Sequence, residues 1–95
     1  MYYLYILRSS TSGRLYTGST DDPRRRLHDH AAGNTPSTRG RGPWELAYLE
    51  EHPNRTAALR RERYLKSLVG GPEKFRLIAE VTDEQRDEWR SLVNE

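Results

Sequence analysis

The sequence predicts an α+β fold: a three-stranded antiparallel sheet flanked by helices, in the order β-β-α-β-α-α. Three observations lead there. Two aromatic and β-branched runs, YYLYILR (2–8) and RLYTG (14–18), stand on either side of a Ser/Gly turn, the pattern of a β-hairpin. An Asp-Pro pair at 22–23 opens a segment that Gly33-Asn34 closes, the punctuation of a short helix. Thr82 followed by Gln85 forms a capping box ahead of a final helix.

The elements follow in order. The hairpin strands cover 2–8 and 14–18, which places Tyr5 and Tyr16 on neighbouring antiparallel strands. Asp22 is the N-cap and Pro23 the first residue of a helix over 23–32. Residues 34–43, NTPSTRGRGP, are rich in turn formers and form a loop carrying Arg39 and Arg41. In WELAYLE (44–50), Trp44, Leu46 and Tyr48 alternate with Glu45, Ala47 and Leu49, a third strand. Thr56 caps a second helix over about 57–69, closed by Gly70-Gly71-Pro72. Residues 73–80 read as a helical turn or connector, and 83–94 as the last helix, with Trp89, Leu92 and Val93 on one side. Residues 1–80 form one domain, on which the C-terminal helix, 81–95, packs.

Composition narrows the classes. Of 95 residues, 34% are hydrophobic and 32% charged, so the core is thin and stability marginal. Without cysteine there is no disulfide framework or thiolate zinc site, which suits a reducing compartment. No apolar run approaches the roughly 20 residues that cross a bilayer, so the expectation is a soluble, cytoplasmic protein without membrane contact. The net charge of +2 conceals an asymmetry, because residues 1–44 hold seven Arg against three acidic residues. Arg outnumbers Lys fourteen to two, which favours bidentate contacts to a phosphate-bearing partner.

Arg26 and His30 lie at i and i+4 on the first helix, on one flank beside Leu27 and Ala31, within reach of the hairpin. Tyr5, Tyr16, Arg26 and His30 can therefore converge on one cleft, although each alone has an ordinary structural role. Glu62 falls into the apolar stripe Ala58–Leu65–Val69 of the second helix. An inward carboxylate needs a partner, either an arginine or a hard divalent cation such as Mg²⁺. Other chemistries lack their motifs: there is no Gly-rich phosphate loop, no dinucleotide fingerprint and no pair of zinc-spaced histidines. Ser9, Ser10 and Ser12 lack a nucleophile-elbow context.

Tyr3-Leu4-Tyr5, Tyr16-Thr17-Gly18, Arg26, His30 and Glu62, in this order and spacing, resemble a GIY-YIG nuclease domain. The chain is most similar to the small stand-alone bacterial GIY-YIG proteins, over roughly residues 2–78. Tyr3 and Thr17 replace the first motif's Gly and the second motif's Ile, while both functional tyrosines are kept. An Asn that some members carry further on has no clear counterpart.

The resemblance implies a metal-dependent endonuclease acting on DNA rather than RNA, with structured or single-stranded substrates, in a setting such as DNA repair. It implies catalytic roles for Tyr5, Tyr16, Arg26, His30 and Glu62, with Glu62 holding Mg²⁺ or Mn²⁺ on the scissile phosphate. Arg26 then neutralises the phosphate oxygens. Tyr16, assisted by Tyr5 or His30, takes a proton from water or orients it for attack. A free phenol titrates at about 10, so that step needs nearby cations. Arg24, Arg25, Arg39 and Arg41 would hold the nucleic-acid backbone. The alternatives are a module that grips nucleic acid without cutting it, and a protein-interaction domain that docks through its acidic last helix.

Overall fold

The computed structural model describes residues 1–94. Its elements are β1 (Tyr2–Ser9), β2 (Leu15–Thr20), α1 (Pro23–Ala31), β3 (Trp44–His52), α2 (Arg55–Lys66), α3 (Glu73–Ala79) and α4 (Asp83–Asn94). The strands form one antiparallel sheet in the order β2-β1-β3. The central place goes to β1, whose Leu4, Tyr5, Ile6 and Leu7 are all buried. Their side chains alternate between the two faces. Leu4 and Ile6 join Ala47, Leu65 and Ile78 beneath α2 and α3. Tyr5 and Leu7 join Leu49 on the opposite face, with Leu27 of α1 and Trp89 of α4 packed around them.

In β3 the simple alternation fails. The register passes from Ile6 opposite Tyr48 to Leu7 opposite Leu46, leaving Ala47 as the extra residue of a bulge. Trp44 and Leu46 therefore share a face with Leu49, whereas Ala47 and Tyr48 belong to the other cluster. Period two predicted Leu49 on the face away from Trp44, and a bulge is invisible to that pattern.

Asp22 caps α1 as expected, its carboxylate accepting from the Arg25 N–H at 3.1 Å, and Pro23 occupies the first turn. Gly33 follows in the left-handed region, φ +76°, where a side chain would be strained. The cap of α2 differs from expectation. It is Asn54, whose side chain accepts from the Ala57 N–H at 2.9 Å, and the helix starts two residues earlier than predicted. It also ends earlier, because the Ser67 hydroxyl donates to the Tyr64 carbonyl and Ser67 turns extended. Val69 is consequently exposed, and the inward stripe of α2 stops at Leu65. Residues 73–79, expected as a turn or connector, form a full helix that contributes Ile78 to the core.

The capping box of α4 is complete: the Gln85 N–H donates to Thr82 Oγ1 at 3.1 Å and the Thr82 N–H to Gln85 Oε1 at 2.9 Å. This helix packs against α1, and the Trp89 ring stands edge-on to Tyr48 at 6.0 Å. On the other face, Glu50 of β3 accepts from the Tyr48 hydroxyl, from His52 Nε2 at 2.8 Å and from Arg61 Nε at 2.9 Å. Arg61 reaches on to Glu73 at 3.8 Å, so one carboxylate ties β3 to α2 and, through Arg61, to α3. Among the described residues no helix is long and apolar enough to cross a membrane.

Candidate active site

The site is organised around the hydroxyl of Tyr5, a side chain only 2% exposed at the middle of the central strand. Tyr5 pairs with Gly18 across the hairpin, and a Cβ at Gly18 would meet the Tyr5 hydroxyl at 2.5 Å. The bare glycine thus makes room for the phenol to lie across β2 towards α1. There Arg26 Nε donates to the hydroxyl at 3.4 Å and His30 Nε2 lies 3.0 Å from it. One turn of helix separates Arg26 from His30, which is why both reach the same oxygen.

The direction of these bonds follows from the next partner. His30 Nδ1 lies 2.7 Å from Thr38 Oγ1, which is 3.4 Å from the Thr35 carbonyl. A carbonyl only accepts, so Thr38 donates to it and accepts the Nδ1–H of His30. Nε2 is then unprotonated and accepts the Tyr5 O–H. The chain of donors runs from Arg26 through Tyr5 and His30 to Thr38. The Trp44 indole holds its end by donating to the Thr38 carbonyl at 3.0 Å.

Burial pushes the Tyr5 phenol up to about 12, with Tyr16 and Glu62 adding to the effect and Arg26 opposing it. Burial, reinforced by the Arg26 charge, lowers the pKa of His30. Arg26 is held more firmly protonated, first by its bond to Tyr5 and further by Tyr16. Tyr5 and His30 are therefore neutral at physiological pH, and Arg26 is the permanent charge.

Tyr16 lies outside this chain, half-buried. Its ring centre is 5.0 Å from that of His30, 6.3 Å from Tyr5 and 6.5 Å from Trp44. Lys66 Nζ is 6.0 Å from the same centre, within cation–π range. Lys66 also pairs with Glu62 at 2.7 Å, while Ser19 of β2 donates to the other carboxylate oxygen at 2.8 Å. The expected stripe position of Glu62 holds, but its partners are a lysine and a serine in place of an arginine.

Four of the five residues singled out from the sequence, Tyr5, Tyr16, Arg26 and His30, meet directly. Glu62 is linked to them through Lys66, which pairs with it and lies against the Tyr16 ring. Arg24 and Arg25 sit apart from Tyr16 and line a different groove, against α4. Arg39 is exposed and spends its Nε on the Gly33 carbonyl at 2.8 Å. Arg41 lines a hollow of about 190 Å³ with Arg14, Tyr16 and Trp44. Thr38, Ser19 and Lys66 were not anticipated. Only Lys66 had a signal, its i+4 spacing from Glu62.

Toward a hard divalent cation the site offers one carboxylate, that of Glu62, which already pairs with Lys66. Glu62 is a single carboxylate with its side chain 19% exposed, and among the described residues no group of three or more His, Cys, Asp or Glu could hold an ion. Mg²⁺ commonly takes one or two carboxylates and completes its shell with phosphate oxygens and water.

Tyrosines on two adjacent strands, an Arg–His helix and a carboxylate on the following long helix define the GIY-YIG class of domain. The model of the GIY-YIG catalytic domain matches residues 1–75, and the chain belongs to this nuclease family. Within it the chain is similar to the UPF0213 proteins. The one from Natronomonas pharaonis is 42% identical over 82 residues, 85% of this chain and 94% of the relative. The one from Oceanobacillus iheyensis is 40% identical over 78 residues, 81% and 88% of the two chains. The solution NMR structure of a UPF0213 protein from Bacillus halodurans covers 92% of this chain and 94% of its own, with 32% identity and a TM-score of 0.54.

Proposed function

We propose that this chain is a metal-dependent endonuclease that hydrolyses phosphodiester bonds in DNA, acting on structured or single-stranded substrates. The observation that carries this reading is the convergence of Arg26 and His30 on the Tyr5 hydroxyl, with Tyr16 against the same imidazole. Metal-dependent members of a nuclease family are the precedent for Mg²⁺ or Mn²⁺, which would sit at Glu62.

The residues divide the work by their protonation states. Arg26, permanently charged and oriented through Tyr5, neutralises the non-bridging oxygens of the scissile phosphate as charge builds there. Tyr5 and His30, both neutral, hold that guanidinium in place. Tyr16 is left to orient the attacking water or, as the phenolate, to receive its proton, with the Lys66 ammonium and Arg26 as the cations beside it. Glu62 would hold a divalent ion, which would supply Lewis-acid stabilisation of developing charge. Arg41 and Arg14, in the hollow beside Tyr16, hold the backbone next to the cut.

The test is cleavage of labelled single strands, duplexes, flaps and junctions, in DNA and RNA, with Mg²⁺ or Mn²⁺, comparing the wild type with Glu62→Ala. Metal-dependent cutting of DNA that vanishes in the variant while binding survives supports the proposal. Binding without cutting in both proteins favours a gripping module. That second reading takes its support from Lys66, whose ammonium already occupies the Glu62 carboxylate.

A further inference from the structure

On the flank of α1 turned away from Tyr5, a groove of about 960 Å³ opens between α1, β3 and α4. It is separate from the cleavage site: α1 presents Arg26 and His30 to one side, and Arg24, His28 and Ala31 to this one. Trp44 joins the two, because it lines both this groove and the hollow beside Tyr16. The geometry points to this groove as a binding site for an unpaired nucleic-acid strand, leading away from Tyr16 over Trp44 and along α4.

Two features of the lining select that ligand. Five arginines reach the groove, Arg8, Arg24 and Arg25 from one side and Arg86 and Arg90 from α4, against the two acids Asp22 and Glu45. Both acids are already engaged, Asp22 as the cap of α1 and Glu45 with Arg8 at 3.4 Å. Among the described residues Arg86 and Arg90 pair with Asp83 and Asp87 on their own exposed helix, contacts that open at little cost. The surplus is cationic and arginine-rich, which suits phosphates.

The second feature is the floor. Both tryptophans of the chain, Trp44 and Trp89, line the groove beside Leu27 and Leu46. Both indoles are only partly buried, and an indole stacks on flat π-systems; every base offers one, but a duplex conceals its base faces against each other. An arginine rim over an indole floor therefore favours a single strand over a duplex, whose phosphates the rim alone would meet. The inference rests on nucleic acid being the partner, as read above, but not on cleavage.

The experiment is a titration with oligothymidylate, in chelator so that no cutting occurs, followed by intrinsic fluorescence. Trp44 lines both the groove and the hollow beside Tyr16, whereas Trp89 lines the groove, so the share of the quenching that depends on Trp89 reports groove occupancy. We expect quenching whose affinity falls as salt rises, and a partial loss of the signal change in Trp89→Phe. The double variant Arg86→Glu/Arg90→Glu should bind at least tenfold more weakly, on the order expected from losing two phosphate contacts, with a cooperative melt only modestly lowered, since both side chains are exposed but the new acids stand one turn from Asp83 and Asp87. Absence of quenching, full affinity in the charge-reversal variant, or equal quenching by a matched duplex or by polyglutamate overturns the proposal. Cleavage without oligothymidylate binding removes only the groove. Groove binding without cleavage on any substrate removes only the nuclease.

Discussion

Tyr5 and Gly18 occupy directly opposed positions on β1 and β2, and the phenol of the first fills the space that a side chain on the second would need. The glycine is required here for room, not for backbone freedom. A Cβ at Gly18 would lie 2.5 Å from the Tyr5 oxygen and 2.6 Å from Cζ, and the buried ring, bonded to His30, has little freedom to withdraw.

Gly18→Ala should therefore destabilise the protein by about 1–3 kcal/mol, the usual cost of overpacking a core. Tyr5→Ala should lose about 3–5 kcal/mol through a cavity. In the double variant the added methyl no longer meets a ring, so the two losses should fall well short of additive. Denaturant melts of the four proteins form the cycle, and strict additivity would show that the two residues do not contact in solution.

Tyr5→Phe keeps the ring and removes the oxygen on which Arg26 and His30 converge. We expect a stability loss of about 1–2 kcal/mol from the unpaired imidazole nitrogen. Cleavage should fall by roughly two orders of magnitude, because a preorganised charge is set loose. A binding assay in chelator should show near-normal affinity. Unchanged cleavage would remove Tyr5 from the site.

The depressed pKa of His30 makes stability depend on pH in a defined direction. The unfolded imidazole titrates at about 6.5, and the folded one lower. Below the unfolded value the unfolded state binds the proton first, so this stabilisation is complete above that pH and is lost as the pH falls towards the folded value. The difference in melting temperature between about pH 7.5 and about pH 5.5, on either side of the unfolded value, should be smaller in His30→Gln than in the wild type. An equal difference would mean that His30 is not buried as a neutral ring.

Lys66 competes for the carboxylate that would hold the metal. Lys66→Met should reduce the Mg²⁺ concentration for half-maximal cleavage several-fold, read from metal titrations of the initial rate. The melt should change little, since the Lys66 end of its pair with Glu62 is half in water. An increase in the required Mg²⁺ would assign Lys66 to the phosphate.

Glu50, opposite Leu4 on β3, gathers a second set of polar contacts on the face turned away from Tyr5. Glu50→Gln leaves Arg61 only its longer pair with Glu73 and disturbs three bonds at once. The expected loss is about 1–3 kcal/mol, with metal-dependent cleavage intact at low temperature. A melt indistinguishable from the wild type would show these bonds to be exchanged with water.

The sequence by itself determined the element order apart from α3, the hairpin that pairs the strands of Tyr5 and Tyr16, the Asp22-Pro23 start of α1 and the Thr82–Gln85 capping box. These are local signals, since turn chemistry, caps and i, i+4 spacing act within a few residues. Tertiary structure decided what depends on residues far apart in the chain. The bulge at Ala47 exists because β3 must match β1. The early end of α2, which leaves Val69 exposed, rests on a hydroxyl taking the Tyr64 carbonyl. The direction of the donor chain through Tyr5 and His30 depends on Thr38, eight residues beyond the helix residue it holds, in a loop whose composition shows only turns. Glu62 was legible as an inward acid, but its partners were not, because Ser19 comes from a strand 43 residues earlier. Contacts of that separation are set by how helices dock on the sheet, and no periodicity in the chain encodes them.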